Sequence, residues 1–458
     1  MNRPSVPEAA EVLAEMTGGG CVVNEGADSS ADAAYRICSG LTVYPRNEEE
    51  VANVLKWANE NGYRVAPQGG GTKDALGQAV TDPDLIISMQ KINGIVQHSA
   101  GDLIVTACAG TTIAQLQQTL ARAGQVLPID PGHEEQTTLG GLVAANTSGL
   151  KRGMYGSIRD YLIATRVVYP DGRRLRTGAK VVKNVAGYDM NKLFVGSMGT
   201  LGILTEVTVK VRPLPQSTGC ALLQADNLEH IQKLQAALLD TQLEPCVFEL
   251  TDRLPDEFDA GKAYVVVTFE DVLPSVRYQL EQLRQIASTC GVQVLDSSDG
   301  DEGKEMAEKV LGAIRKRWPT PDHVVPASTV VALKLSSLLA DVPALYDKVR
   351  LAAEECGLEA TFNGGLSSGI SRAIVTVHNE ERVGNEHHDE ALKQWIMKTQ
   401  SLLEECGGHA VVEFAPKRLK SSIAVWGKDR PDMVLMRGIK NKIDPQGTLN
   451  PGRFVGGI

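Results

Sequence analysis

Three glycine-rich stretches hold the residues of this 458-residue chain whose types and spacing suit the binding of an anionic ligand. The first is Pro67-Gln68-Gly69-Gly70-Gly71-Thr72-Lys73. Glycines here let a backbone come close to a bound group with its N–H donors turned inward, and Thr72 adds a hydroxyl. Phosphate or pyrophosphate is the natural guest, although a plain tight turn uses the same residues. The G-x-x-x-x-G-K-[ST] spacing of a P-loop is absent. The second stretch runs from Thr137 through Thr138, Gly140, Gly141 and Ser148 to Gly149, with Tyr155-Gly156-Ser157-Ile158-Arg159-Asp160 close behind. Its small side chains leave room for a flat ring, and amides at a helix start can face an anion; a tightly packed helix start is the alternative. The third runs from Asn184 and Gly187-Tyr188-Asp189 through Gly196, Gly199 and Gly202-Ile203 to Glu206. So many glycines cost backbone entropy, which a chain tolerates where it wraps a ligand.

Metal and thiol chemistry find less support. The eight cysteines are scattered, with no C-x-x-C pair, so neither an iron–sulfur cluster nor structural zinc is expected. His378 ends a strand-like run, and His409 precedes another. His387 and His388 are adjacent, and on a helix neighbours point apart, so a solvated acidic face is expected there.

The elements that must position these loops alternate irregularly. Asn47 caps an expected helix whose Val51, Val54, Leu55 and Ala58 share one face, ending at Asn61-Gly62. Strands are expected at 63–67, 85–88, 103–107, 162–169 and 203–211, with a helix over 112–123. Pro213-Leu214-Pro215 breaks the pattern and marks a boundary. Beyond it, helices are expected at 228–239, 273–290, 338–356 and 432–442, and strands at 263–269 and 330–335. The length calls for two domains, and the mixture is α+β. A net charge of −10 argues against non-specific nucleic-acid binding. No apolar run spans a membrane and the acidic start is no secretory signal, so a cytoplasmic location is expected, with membrane contact only through partners.

From about residue 40 to 213, the three loops in their order resemble the FAD-binding domain of the vanillyl-alcohol oxidase and p-cresol methylhydroxylase (PCMH) superfamily. Within it the chain is most similar to glycolate oxidase FAD-binding subunits and their D-lactate dehydrogenase relatives. The tail from Asp444-Pro445 to Asn450-Pro451-Gly452-Arg453-Phe454 resembles the same family. The resemblance implies a PCMH-type FAD-binding domain over 40–213 after an N-terminal segment, 1–39. It also implies a second α/β cap domain with an antiparallel sheet over 214–425, and a tail, 426–458, returning to the first. Carried over by position, Pro67, Gly69, Gly70, Gly71 and Thr72 would hold the pyrophosphate. Thr138, Gly140, Gly141, Ser148 and Gly149 would line the pyrophosphate and isoalloxazine, with Gly156 and Ser157 following. Gly202 and Ile203 would meet the adenosine end. Gln68 and Met198 depart from the arginine and glutamate frequent in relatives. Some members attach FAD through histidine or cysteine. The first loop has neither, so non-covalent FAD is expected, with His133 the residue placed to contradict this.

Oxidising a 2-hydroxy acid needs a cation for the carboxylate, a base for the hydroxyl proton and a flavin for the hydride. The catalytic relatives use a histidine pair and an acid around a divalent metal, in a His-x-Gly-Asp-Gly-Asn-x-His arrangement. This chain lacks it, so no metal is expected. Its second half looks instead like the accessory FAD subunit of glycolate oxidase, though longer. The resemblance then implies a sister FAD subunit acting on a small 2-hydroxy acid and an iron–sulfur subunit carrying electrons away. A self-sufficient dehydrogenase and a flavin-free scaffold are the alternatives. Local chemistry is left to two weak candidates, Lys183 facing the flavin and Arg372 binding an anion.

Overall fold

The computed structural model describes residues 3–24, 31–78, 82–179, 188–252, 254, 262–325, 328–378, 386–428 and 431–458. Three short parallel strands, Leu41–Val43, Leu85–Ser88 and Val65–Gln68, form a sheet edged by antiparallel Cys21–Val23. The crossover between the first and last of the three is the helix Glu48–Glu60. Its cap is the expected one: the Asn47 carboxamide oxygen accepts the Glu50 N–H at 2.9 Å, and Val51, Val54, Leu55 and Ala58 are buried. The strand Val65–Gln68 therefore delivers the first glycine loop at its carboxyl end, where the backbone leaves the sheet.

A five-stranded antiparallel sheet follows, in the order Ile95–Ser99, Ile104–Cys108, Ile203–Lys210, Leu162–Val168, Arg174–Gly178. Two helices pack on it through Ile113, Leu116, Leu120, Leu139 and Leu142. The second of these, Leu139–Ala145, is the short apolar stretch inside the second glycine loop. Thr138 caps it by accepting the Gly141 N–H, and Asn146 ends it in the left-handed conformation.

The largest sheet has eight antiparallel strands, ordered Gln293–Ser298, Ser217–Gln224, Tyr264–Asp271, Val247–Thr251, Ala360–Gly365, Ile370–His378, Ser328–Ser336, His409–Phe414. Alternate residues divide its faces. Leu223, Val267, Leu333, Ala373 and Val375 pack under the helices Leu228–Leu239, Leu273–Thr289, Val342–Glu354 and Glu386–Glu405. Leu222, Val266, Ala332 and Ile374 point the other way, against Tyr35, Leu150 and Trp318. The helix expected from 338 begins only at Val342, after a 3-10 turn over Leu339–Asp341. Pro343 explains the late start: it is tolerated only in a first helical turn.

The tail returns to the first sheet, as the resemblance implied. The Val65 N–H donates to the Thr448 carbonyl at 2.7 Å, and the Asn450 N–H to the Val65 carbonyl at 2.9 Å. The buried Lys440 ammonium binds the Thr200 and Leu449 carbonyls, both at 2.8 Å, and the Asp444 carboxylate at 2.6 Å. No helix among the described residues is long and apolar enough to cross a membrane.

Candidate functional site

The first and second glycine loops and the residues around Gly202 meet at one cavity. Of the residues singled out in the sequence, Pro67, Gly69, Gly70, Gly71, Thr72, Thr138, Gly140, Gly141, Gly202 and Ile203 all line it. Four others do not. Ser148 and Gly149 lie behind the wall, where a Cβ on Gly149 would be 2.0 Å from the Asp130 carbonyl oxygen. Gly156 packs on Asp160, whose carboxylate also accepts the Ser157 N–H at 2.8 Å in a capping box.

Three of these glycines also let loop pack against loop. A Cβ on Gly69 would sit 2.2 Å from the Thr138 hydroxyl oxygen, and one on Gly70 would sit 1.8 Å from the Gln136 carbonyl oxygen. A Cβ on Gly140 would be 2.7 Å from that of Ala109. Their missing side chains let the protein loops close on one another, which fixes the cavity wall. Gly71 differs: its φ of +74° requires glycine to turn the chain.

The donors left over suit an anion. Among the described residues, the N–H groups of Gly70, Gly71 and Thr72 have no hydrogen-bond partner. Unpaired amides on a loop after a parallel strand are what a pyrophosphate neutralises. Leu142, Ala144, Ala145 and Ile203 supply apolar wall for a ring. The chain's residues thus fit a dinucleotide of the FAD type.

Across the cavity stand Trp318, Pro319 and Thr320, from the segment after the helix Gly300–Lys316. Behind Trp318, the large sheet carries a row of polar side chains. Lys334 lies directly opposite Arg372, and Arg372 opposite Asn363, on three adjacent strands. Asn363 donates to Glu249 on the next strand at 3.4 Å. Arg372, a candidate from the sequence, is 3% exposed. Its guanidinium stacks 4.0 Å from the Trp318 ring centroid and donates to Glu413 at 2.8 Å and to the Ser148 carbonyl at 3.3 Å. Lys73, at the end of the first glycine loop, reaches the same Glu413 at 3.0 Å. Glu413 therefore ties the loop to the sheet.

Electrostatics follows from this packing. Burial works against a charged Glu413, but Arg372 and Lys73 outweigh it and hold the carboxyl well below its usual range. Burial pushes the Lys334 ammonium down to about 8; Glu413 opposes the shift, while Arg372, Arg152 and Lys73 add to it. Burial raises the Glu249 carboxyl to about 8 against the Asn363 hydrogen bond and Arg372. Perturbed groups beside a cavity are the usual mark of a functional site.

Sequence reading missed Lys334, Glu413, Glu249 and Trp318. The available signal was a charge inside each apolar strand: Val330-Val331-Ala332-Leu333-Lys334, Val411-Val412-Glu413-Phe414 and Val247-Phe248-Glu249-Leu250. Lys183, Asn184 and Gly187 lie outside the described residues. His133 does line the cavity, donates to the Trp318 carbonyl at 2.7 Å and lies against His323, the two rings tilted with centroids 4.6 Å apart. His387 and His388 lie on the helix Glu386–Glu405, and no group of three potential metal ligands occurs among the described residues.

Residues 40–178 match the family model described as FAD binding domain. The chain is 26% identical over 442 residues to glycolate oxidase subunit GlcD of Bacillus subtilis, covering 93% of this chain and 90% of that protein. It is 38% identical over 179 residues to glycolate oxidase subunit GlcE of Escherichia coli, covering 39% of this chain and 49% of that one. Among solved structures, p-cresol methylhydroxylase aligns with a TM-score of 0.76 at 14% identity, covering 98% of this chain and 96% of that one. The cavity, the amides of its glycine loop and these likenesses agree: the chain is an FAD-dependent oxidoreductase that shares the fold of p-cresol methylhydroxylase.

Proposed function

We propose that this protein is the FAD-carrying subunit of an assembly that oxidises small 2-hydroxy acids such as glycolate or D-lactate. The observation that carries the reading is the cavity whose wall is made by Gly69–Thr72 and Thr138–Gly141, with the amides of Gly70, Gly71 and Thr72 unpaired among the described residues. Bound there, FAD supplies a two-electron acceptor. The chain's part is to hold the pyrophosphate on backbone N–H groups and to enclose the ring between Leu142, Ile203 and Trp318. Two relatives named as glycolate oxidase subunits support the substrate class and the place in an assembly. A sister FAD subunit and an iron–sulfur subunit complete the electron path in this reading, since the chain's cysteines are scattered. FAD is held non-covalently, His133 being engaged with the Trp318 carbonyl. The protein works in the cytoplasm and meets the membrane only through partners. Its domain limits fall at Pro213-Leu214-Pro215, between the last strand of the five-stranded sheet and the strand Ser217–Gln224 of the large one.

A second reading, a self-sufficient 2-hydroxy-acid dehydrogenase, is favoured by one observation: the Lys334–Arg372 pair with Glu413 beside the cavity. The visible spectrum of the purified protein, before and after anaerobic addition of glycolate and D-lactate, separates the readings. Flavin bands that persist, together with copurifying partners, are expected for a subunit. Bleaching in the isolated chain would establish the dehydrogenase. A protein without flavin would refute both.

A further inference from the structure

Pro131-Gly132-His133 turns the chain just ahead of the second glycine loop, and Gly132 and His133 both adopt positive φ, +27° and +53°. A histidine is strained in that region, and its own turn keeps it there: the His133 carbonyl accepts the Gln136 N–H at 3.0 Å and the Thr137 N–H at 2.8 Å. The turn sets the imidazole on the cavity wall, beside Trp318 and Thr320. Nε2 meets the Trp318 carbonyl, which can only accept, so Nε2 carries the proton and Nδ1 of the neutral ring is an acceptor. Among the described residues Nδ1 has no partner, and the side chain is only half-buried. Against it lies the exposed His323, ring centroids 4.6 Å apart, with its Nδ1 2.7 Å from the Thr320 hydroxyl. One imidazole thus faces the cavity with an open acceptor, and a second leads from it to the surface. Among the described residues, no carboxylate pairs with His133. On its own turn Glu135 is exposed, and Glu134 is set among Asp130, Glu135, Arg315 and Lys151. On the facing segment Asp322 pairs with Arg36, and on the first glycine loop Lys73 is bonded to Glu413. Burial, with the charges of His323 and Lys73, holds the His133 imidazole below its ordinary 6.5 in spite of the Trp318 hydrogen bond.

We propose that His133 is the proton-exchanging residue of the flavin site: it binds a proton when the site is reduced and releases it when the electrons leave, with His323 as its link to solvent. This rests on the function proposed above and gives the chain's own residues a part in its electron path. When two electrons and one proton reach a bound flavin, the cavity gains one negative charge. His133 Nδ1 then takes one further proton from solvent, which restores the balance of charge. The same proton returns to solvent when the two electrons pass on. A histidine paired with a carboxylate would stay charged in both states and respond to neither. Without such a partner, the charge that arrives in the cavity decides whether His133 is protonated.

The test is reductive titration of the flavin-loaded protein against a dye of known potential, at steps between about pH 5 and 9, read from the visible spectrum. No hydroxy acid is added, so the result is independent of turnover. In the wild type the midpoint potential should fall about twofold more steeply with pH inside one window than beyond it, because a second proton accompanies each electron pair there. The window opens below 6.5, where His133 titrates in the oxidised protein, and closes at its higher value in the reduced one. His133→Gln, whose amide can still donate to the Trp318 carbonyl, should lose the steep segment, and His323→Gln should keep it. A single slope in the wild type, a steep segment that survives His133→Gln, or one lost only in His323→Gln would overturn the proposal. Protein that purifies without flavin would instead count against the function on which the proposal rests.

Discussion

Glu249→Gln is expected to make the protein more stable, and increasingly so as pH rises. Glu249 is 3% exposed, and its carboxyl titrates near 8 in place of the usual 4.5. Burial is the main cause. The Asn363 amide and the Arg372 charge oppose the shift, and the Asp130 charge adds to it. In the unfolded chain the group loses its proton near 4.5, whereas in the folded chain it keeps it to about 8. Between those values the folded state binds one more proton, so the contribution of Glu249 falls as pH rises and levels off above the folded value. The slope is about 1.4 kcal/mol per pH unit, or roughly 4 kcal/mol across pH 5 to 8. Glutamine resembles the protonated acid, can still meet Asn363 and does not titrate. Urea unfolding of both proteins, followed by tryptophan fluorescence at several pH values, gives the difference directly, since other titrating groups cancel. The variant should match the wild type near pH 5 and exceed it by a few kcal/mol at pH 8. Parallel stability curves would refute the argument that Glu249 is buried and neutral.

Three further outcomes are expected. Gly70→Ala places a methyl 1.8 Å from the Gln136 carbonyl oxygen, so the protein should purify without flavin or fail to fold, while an alanine at exposed Gly40, which meets nothing within 4 Å, should keep full flavin content. Lys440→Met strips the Asp444 carboxylate of its buried cation and should cost about 3 kcal/mol, read as a lower thermal midpoint. His133→Ala should leave flavin content unchanged, with the flavin of both proteins released into the supernatant on acid precipitation; yellow colour retained in the wild-type pellet alone would show attachment at His133.

Local physical chemistry made much of the molecule legible in advance. Asn47 before a run of glutamates and Val51-Val54-Leu55-Ala58 specify a capped amphipathic helix within a single window, and the helix Leu228–Leu239 was equally readable from its own periodicity. The order of the three glycine loops marked ten residues that line the cavity. Ser148 and Gly149 do not line that cavity; small residues in one run look alike, and only the packing of Asp130 against Gly149 shows which of them face inward.

What the tertiary structure alone decided is the second half of the site. Lys334, Arg372 and Glu413 are far apart in the chain, and each is a single charge within an apolar strand. Their meeting depends on strand register, which a one-residue slip would undo by turning every side chain to the opposite face. That register places Lys334 opposite Arg372 and, through Glu413, joins both to Lys73 on the glycine loop. The sequence by itself determined the cofactor loop, because a turn that presents its amides is a local property of glycine and its neighbours. The charged row opposite it is a property of non-local pairing, and no window of the chain contains it.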